Sequence, residues 1–394
     1  MSAKVKHHYF TNLTAIRFYL ATYGVFGHTN DLLSILGVKN YQHKHILFYT
    51  NIGAVFLTAF FVISGFLITH ILIEEKHATN DVVLKKFFLN RIFRIWPPYY
   101  LVLFIQWFVI AHTPVKEISD LFYAFTYSKS TLTPIMMNHG VYFFLSLIML
   151  PHLSLTISVV LDNWTIVAGH LWSTGIEEFF YFIWAPVMRK SKDIVKSIRN
   201  SILFYYIISL IAFTGLMIGY WILKSKTMIS VFHFIMFFLY LTRLSCMFIG
   251  AFAAYIFFYK KDWIAKNVTK KRAIICGIGA ILVIVSKVPI PLITQELFSV
   301  LLSFLILYFV KDNKRIPILD NAVFNYLGKI SYGIYLYHVS IIFVVIYFCK
   351  KYNFFVVPVI YLIILSLTIL AATLSYEFYE KQWQKVKAKY FMKK

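Results

Sequence analysis

Apolar runs recur along this chain at about residues 11 to 29, 50 to 73, 95 to 111, 139 to 161, 175 to 188, 201 to 223, 230 to 259, 273 to 289, 293 to 310, 328 to 349 and 354 to 378. Most are long enough to cross a hydrocarbon core of roughly 30 Å as a helix. Inside a bilayer every backbone amide must find a partner within the protein, which leaves only helices or a closed barrel. A barrel strand alternates apolar and polar residues, and these runs do not. The fold class is therefore an all-α polytopic membrane protein. A composition of 60% hydrophobic and 14% charged residues excludes an ordinary soluble globule. Residues 1–394 read as one integral membrane domain ending in a basic tail, 381–394, without soluble domain, low-complexity tract or internal repeat.

The net charge of +23 raises the possibility of nucleic acid. The basic residues, however, fall in short segments between apolar runs and form no single patch with interleaved aromatics, so they report topology and no nucleic-acid partner is expected. Lys85, Lys86, Arg91 and Arg94 precede the third run; Arg189, Lys190, Lys192, Lys196 and Arg199 follow the fifth. Lys260, Lys261, Lys266, Lys270, Lys271 and Arg272 follow the seventh, and Lys311, Lys314 and Arg315 the ninth. If these segments and both termini are cytoplasmic, the number of crossings is even, and eleven candidates break that parity. The run at 139–161, with Pro151 and His152 inside it, is the one expected not to cross. The expectation is about ten transmembrane helices plus one re-entrant or interfacial segment on the outer side, close to Glu177 and Glu178. The first run contains Arg17 and no small-residue cleavage site, so it reads as a retained anchor. Cys246, Cys276 and Cys349 are scattered in or at the ends of apolar runs and support neither a disulfide framework nor a metal site.

Charged and ionisable residues in otherwise lipid-like sequence are functional candidates by default, because a charge at that depth is unfavourable by several kcal/mol unless paired or hydrated. Arg17 and His28 are eleven positions apart on the first helix, roughly 16 Å, and share a face at different depths. The lesser alternative for Arg17 is that it ties helices together through backbone carbonyls. Arg91 and Arg94 project from one helical face before Pro97 and Pro98 and suit phosphate oxygens, although any cytoplasmic helix end collects such residues. Glu177 and Glu178 stand near the head of an apolar run and point about 100° apart, so one of them faces a given cavity. A desolvated glutamate beside a histidine either orients it or accepts a proton itself. Ser64-Gly65-Phe66 interrupts the second run and Arg243 the seventh, and the glycines are read as permitting close helix packing. Tyr332, Tyr335 and His338 share one face, read as packing and an interfacial aromatic belt ahead of a polar groove wall.

Together these segments resemble the acyltransferase-3 family of bacterial integral membrane acyltransferases, nearly end to end. Arg17 and His28 match its first-helix pattern, Phe60 to Leu67 its second-helix signature, and Arg91 and Arg94 its Arg-x-x-Arg-Ile-x-Pro motif. Trp172-Ser173-Thr174-Gly175-Ile176-Glu177 matches its tryptophan-serine-glutamate signature, and Leu327 to His338 its late glycine-serine-tyrosine-histidine segment. Thr174, Phe179 and Gln382 depart from the family pattern, where leucine, glutamine and proline are usual. The resemblance is to the stand-alone form, without a fused extracytoplasmic hydrolase-like domain.

The resemblance implies a bacterial inner-membrane O-acyltransferase with acyl-coenzyme A, usually acetyl-CoA, as cytoplasmic donor and a cell-surface carbohydrate or glycolipid hydroxyl as acceptor. The acceptors it allows are lipopolysaccharide side chains, exopolysaccharide, peptidoglycan and small metabolites. His28 is then the general base, with Glu177 orienting it or moving a proton. Arg17 binds the donor arm or supports the oxyanion, and Arg91 and Arg94 hold the donor's phosphates. Trp172, Ser173 and Glu178 are assigned to the acceptor. No metal is expected. The competing class is a transporter or flippase for a lipid-linked or small anionic substrate.

Overall fold

A computed structural model describes residues 10–38, 46–127, 139–161, 168–285, 293–311 and 321–392. Lys314 and Arg315, expected in a cytoplasmic connection, lie outside the described residues. All regular structure among the described residues is helical. In chain order it comprises α1 (Thr11–Ile35), α2 (Ile46–Thr79), α3 (Leu84–Phe104), α4 (Lys116–Tyr127), α5 (His139–Leu147), α6 (Pro151–Leu161), α7 (Trp172–Lys190), α8 (Ile194–Met217), α9 (Lys226–Thr242) and α10 (Leu244–Tyr259). Then follow α11 (Lys261–Asn267), α12 (Lys270–Val285), α13 (Thr294–Val310), α14 (Ala322–Lys329), α15 (Ser331–Lys351), α16 (Val357–Leu374) and α17 (Lys381–Met392).

Six of the described stretches are long and apolar enough to cross a membrane: Val55–Thr79, Leu84–His112, Ile194–Ile222, Lys226–Tyr259, Ser331–Lys351 and Val357–Tyr390. The stretch at 139–161 is not one helix. It forms two pieces of 9 and 11 residues with Met149 in left-handed backbone between them, and at 1.5 Å per residue each is roughly half of a 30 Å core.

The chain divides into two compact units. The first comprises Met1–Leu13, Ala54–Leu84 and Ser173–Ile316. In it α2 runs unbroken through Ser64-Gly65-Phe66, against the expected interruption, because the glycine serves packing. A Cβ on Gly65 would stand 2.1 Å from the Met247 carbonyl oxygen, and one on Gly250 would stand 2.1 Å from that of Val62. Each helix thus presses a glycine onto the other's backbone, the close approach that small residues permit in membrane bundles. Trp184 of α7, fully buried, donates to Thr69 at 2.8 Å and packs on Phe248 of α10 with ring centroids 5.3 Å apart. The Lys76 ammonium donates to the carbonyls of Met188, Arg189 and Ser191, satisfying acceptors that the end of α7 would otherwise leave open. Asp81 receives two bonds from the Arg189 guanidinium, at 3.0 and 3.1 Å, and this holds its carboxyl below the ordinary value. The interruption expected at Arg243 is real: this residue, buried and left-handed at φ 45°, ends α9 and begins α10, and donates to Thr58 at 3.0 Å.

The second unit comprises Thr14–Gly53, Lys85–Trp172 and Pro317–Lys394. Pro97 and Pro98 lie inside α3 instead of ending it, and a π-helical segment, Ile105–Val109, follows directly. Tyr99 and Tyr100 donate to the carbonyls of Ser146 and Leu147, at 2.8 and 2.7 Å, so the turn that closes α5 has protein donors. Gln106, fully buried in the π segment, donates to Ser340 of α15 at 2.6 Å. Gly328 meets the Thr14 carbonyl of α1, where a Cβ would stand 2.3 Å from its oxygen.

Candidate active site

In the second unit, α1 carries His28 to a cluster of rings built from three further elements. Phe122 of α4 meets the imidazole edge-on, centroids 5.5 Å apart. His338 of α15 stacks on it at 5.4 Å with planes 20° apart, and His170, in the 3-10 turn Gly169–Leu171, lies 5.7 Å from His338 nearly perpendicular to it. Three turns before His28 on the same helix, Arg17 is half-buried.

Hydrogen bonds fix the protons of the two buried imidazoles. His338 Nδ1 lies 2.5 Å from the Tyr335 carbonyl oxygen, which only accepts, so Nδ1 donates and Nε2 keeps its lone pair. That Nε2 is buried and has no hydrogen-bond partner among the described residues. His170 Nε2 donates to the Leu336 carbonyl at 3.1 Å, and the Tyr335 hydroxyl donates back to the His170 carbonyl. α15 thereby clamps the 3-10 turn from both sides.

His28 differs from its neighbours. Its side chain is 31% exposed, and Asp31, one turn along α1, brings a carboxylate oxygen to 3.5 Å from Nδ1. The two groups make no hydrogen bond, so Asp31 acts on the ring through its charge, which favours a proton on the nitrogen that faces it. The arrangement is a base with an orienting acid, half-open to whatever enters. Sequence reasoning singled out His28 but missed Asp31, whose spacing of three along the helix was the available signal. It also placed His338 on a face of packing and aromatic belt, of which the packing is found. His338 is 1% exposed, and Tyr332 donates to the Ile95 carbonyl at 3.2 Å, so this face of α15 is a packed polar wall.

Arg91 and Arg94 lie on the first part of α3, as the spacing required. Arg91 stands over the Phe87 ring at 5.7 Å, Arg94 is exposed, and Lys387 of α17 is within electrostatic reach of both. The α17 lysine was not expected there. Trp383, also on α17, packs against Phe93 with centroids 6.5 Å apart. The group is cationic with an aromatic side, a surface suited to phosphate and a planar base.

Glu177 and Glu178 belong to α7 in the first unit, whereas His28 belongs to the second. Both Glu177 oxygens are engaged where they stand. Ser64 donates to one at 2.6 Å and Tyr181 to the other at 3.1 Å, the two hydroxyls being 3.4 Å apart. The carboxylate is held as an acceptor, half-buried, by α2 and by the next turn of its own helix. Glu178 is half-buried beside it, Ser173 is buried, and Trp172 is half-buried at the end of the second unit's middle segment. Among the described residues no three His, Cys, Asp or Glu side chains are arranged to hold a metal ion.

A family model described as an acyltransferase domain matches residues 10–377. The chain is similar to a Staphylococcus aureus (strain COL) protein provisionally named an O-acetyltransferase, with 28% identity over 90% of this chain and 56% of the relative. It is also similar to the O-acetyltransferase OatA of Staphylococcus aureus (strain NCTC 8325 / PS 47), with 28% identity over 83% of this chain and 52% of the relative. The chain spans about half the length of the curated relatives it matches. No solved structure matches it.

Proposed function

The chain belongs to the acyltransferase-3 family of integral membrane acyltransferases, and on that premise we propose that it is a membrane O-acyltransferase. It moves an acyl group, acetyl in the first instance, from cytoplasmic acyl-coenzyme A to a hydroxyl of a cell-surface carbohydrate such as a lipopolysaccharide side chain or exopolysaccharide. It works in a bacterial inner membrane with both termini cytoplasmic. Adding α1, α7, α12 and α13 to the six long apolar stretches gives ten crossings, with α5 and α6 as the re-entrant element.

The observation that carries this reading is His28, half-exposed with Asp31 at Nδ1. In the proposed step His28 Nε2 takes the acceptor hydroxyl proton as that oxygen attacks the thioester carbonyl. The new C–O bond forms, the tetrahedral centre collapses with cleavage of C–S, and the proton passes from His28 to the departing thiolate. Asp31 provides the carboxylate opposite the ring's developing charge, the orienting role first given to Glu177. Arg17 steadies the donor arm or the oxyanion. Arg91 and Arg94, with Lys387, hold the donor's phosphates. Glu177, fixed by Ser64 and Tyr181, joins Trp172, Ser173 and Glu178 in binding the carbohydrate acceptor, itself made of hydroxyl donors.

The test compares O-acetyl signals by proton NMR in surface glycans of the native host carrying wild-type, His28→Ala or Asp31→Asn protein at matched expression. The expected result is loss of signal with His28→Ala and a reduction of at least about tenfold with Asp31→Asn, since general base catalysis contributes roughly 10²–10⁴. Full acetylation with His28→Ala rejects the assignment.

A further inference from the structure

The first unit contains a cavity of about 420 Å³ that shares no residue with the candidate active site, within the roughly 300–1,000 Å³ of ligand pockets. It lies between the start of α8 and the later halves of α10 and α13, is open on one side, and is walled by carbon: Ile198, Ile202, Phe252, Ile256 and Leu307 among others. A cavity with such walls rejects any solute that must keep its hydration. It suits a hydrocarbon chain.

Two polar features say what else the occupant carries. The Ser303 hydroxyl, on a residue only 7% exposed, has no hydrogen-bond partner among the described residues. At the rim Arg199 is exposed and forms no hydrogen bond or ion pair among the described residues, and Trp263 of α11 stands beside the same opening. The rim is also the end of the unit where basic residues concentrate, with Lys192 before α8, Lys196 in its first turn, and Lys260, Lys261 and Lys266 following α10. A guanidinium without a partner at the mouth of an apolar slot, next to an interfacial indole, matches an amphiphile whose head is anionic and whose tail is aliphatic. We propose that this cavity is a lipid site which takes one acyl chain of an anionic glycerophospholipid, with the lipid phosphate paired to Arg199. The site is independent of the acyl-transfer reading and survives or fails without it.

The experiment uses the full chain in phosphatidylcholine liposomes doped with phosphatidylglycerol whose acyl chain bears a diazirine. After irradiation the adducts are mapped by peptide mass spectrometry. Adducts are expected to concentrate on cavity residues such as Ile202, Phe252 and Phe304 over Leu210 and Ile281, which are exposed on α8 and α12 away from the cavity. Arg199→Gln, a change at an exposed position, is expected to lower the cavity adduct yield about fivefold, the effect of removing one basic residue at an anionic lipid. Even labelling of Ile202 and Leu210 overturns the proposal. So does equal cavity labelling by a diazirine phosphatidylcholine, or a yield unchanged in Arg199→Gln protein that elutes normally on size exclusion.

Discussion

Gly250→Ala is the most informative single methyl that can be added to this protein. The new Cβ would stand 2.1 Å from the Val62 carbonyl oxygen, where real Cβ atoms keep at least 3.0 Å, so α2 and α10 must separate locally by about 0.9 Å. Neither side can yield by rotating a side chain, because the obstacle is backbone. Overpacking of this kind costs about 2 kcal/mol, which for a unit of this size lowers Tm by roughly 4–8 °C. The effect reaches the candidate site because α7 is held to α10 through Phe180 and Trp184 on Phe248, while Ser64 rides on α2. A displacement of that size takes the 2.6 Å bond from Ser64 to Glu177 to about the limit of hydrogen bonding. Thermal unfolding in detergent, followed with a thiol-reactive dye that reports exposure of buried Cys246, gives the stability change; acetyl incorporation gives the activity change. Gly65→Ala strikes the reciprocal contact, so the double variant is expected to lose less than the sum of the singles, since the first methyl has already parted the helices. Gly277→Ala, with nothing within 4 Å of its Cβ, is the control and is expected to be neutral or stabilising. A Gly250→Ala protein with the Tm and activity of wild type would refute the close-contact reasoning.

The remaining expectations concern the donor site and pH. Coenzyme A is expected to raise the Tm of the wild-type protein, by the mass action of a ligand that binds only the folded state; the Arg91→Ala, Arg94→Ala double variant loses that rise while its ligand-free Tm stays near wild type. A transporter would show no such rise. The Asp81–Arg189 pair sets a pH dependence. Because the folded carboxyl titrates below its unfolded value, the pair's contribution is present above the ordinary carboxylate range and is lost as pH falls through the folded value. Wild-type and Arg189→Gln melting temperatures should therefore differ at pH 7 and converge in acid; a constant difference across that range contradicts the assignment.

The helical class and the spacing of Arg91 and Arg94 on one face were legible in the sequence because each rests on local periodicity. Pro151 marks the start of the second of the two short helices at 139–161, while the expectation drawn from charge parity concerns whether that stretch crosses the membrane. The ring cluster around His28 was not legible. His338 is 310 positions away, and a histidine spaced with tyrosines along a helix reads identically whether it faces lipid headgroups or another imidazole. Asp31 was hidden by proximity, since an acid near a helix end usually reads as solvation. The Ser64-Gly65 pair was misread as a break because glycine disfavours an isolated helix, but its reading as a place of close helix packing holds, since the missing Cβ is what lets Met247 approach.

The π-helical segment at Ile105–Val109 has a consequence for how this chain can vary. A π turn is an α-helix holding one residue more than its pitch requires, and removal of that residue would restore a regular helix. It would also rotate everything on one side of it by about 100° relative to the other. Gln106 would then swing off Ser340, two residues beyond His338 on α15. Single-residue deletions elsewhere along α3 change its length; at this position a deletion acts as a change of phase between the arginine-bearing start of the helix and the wall that carries the stacked histidine.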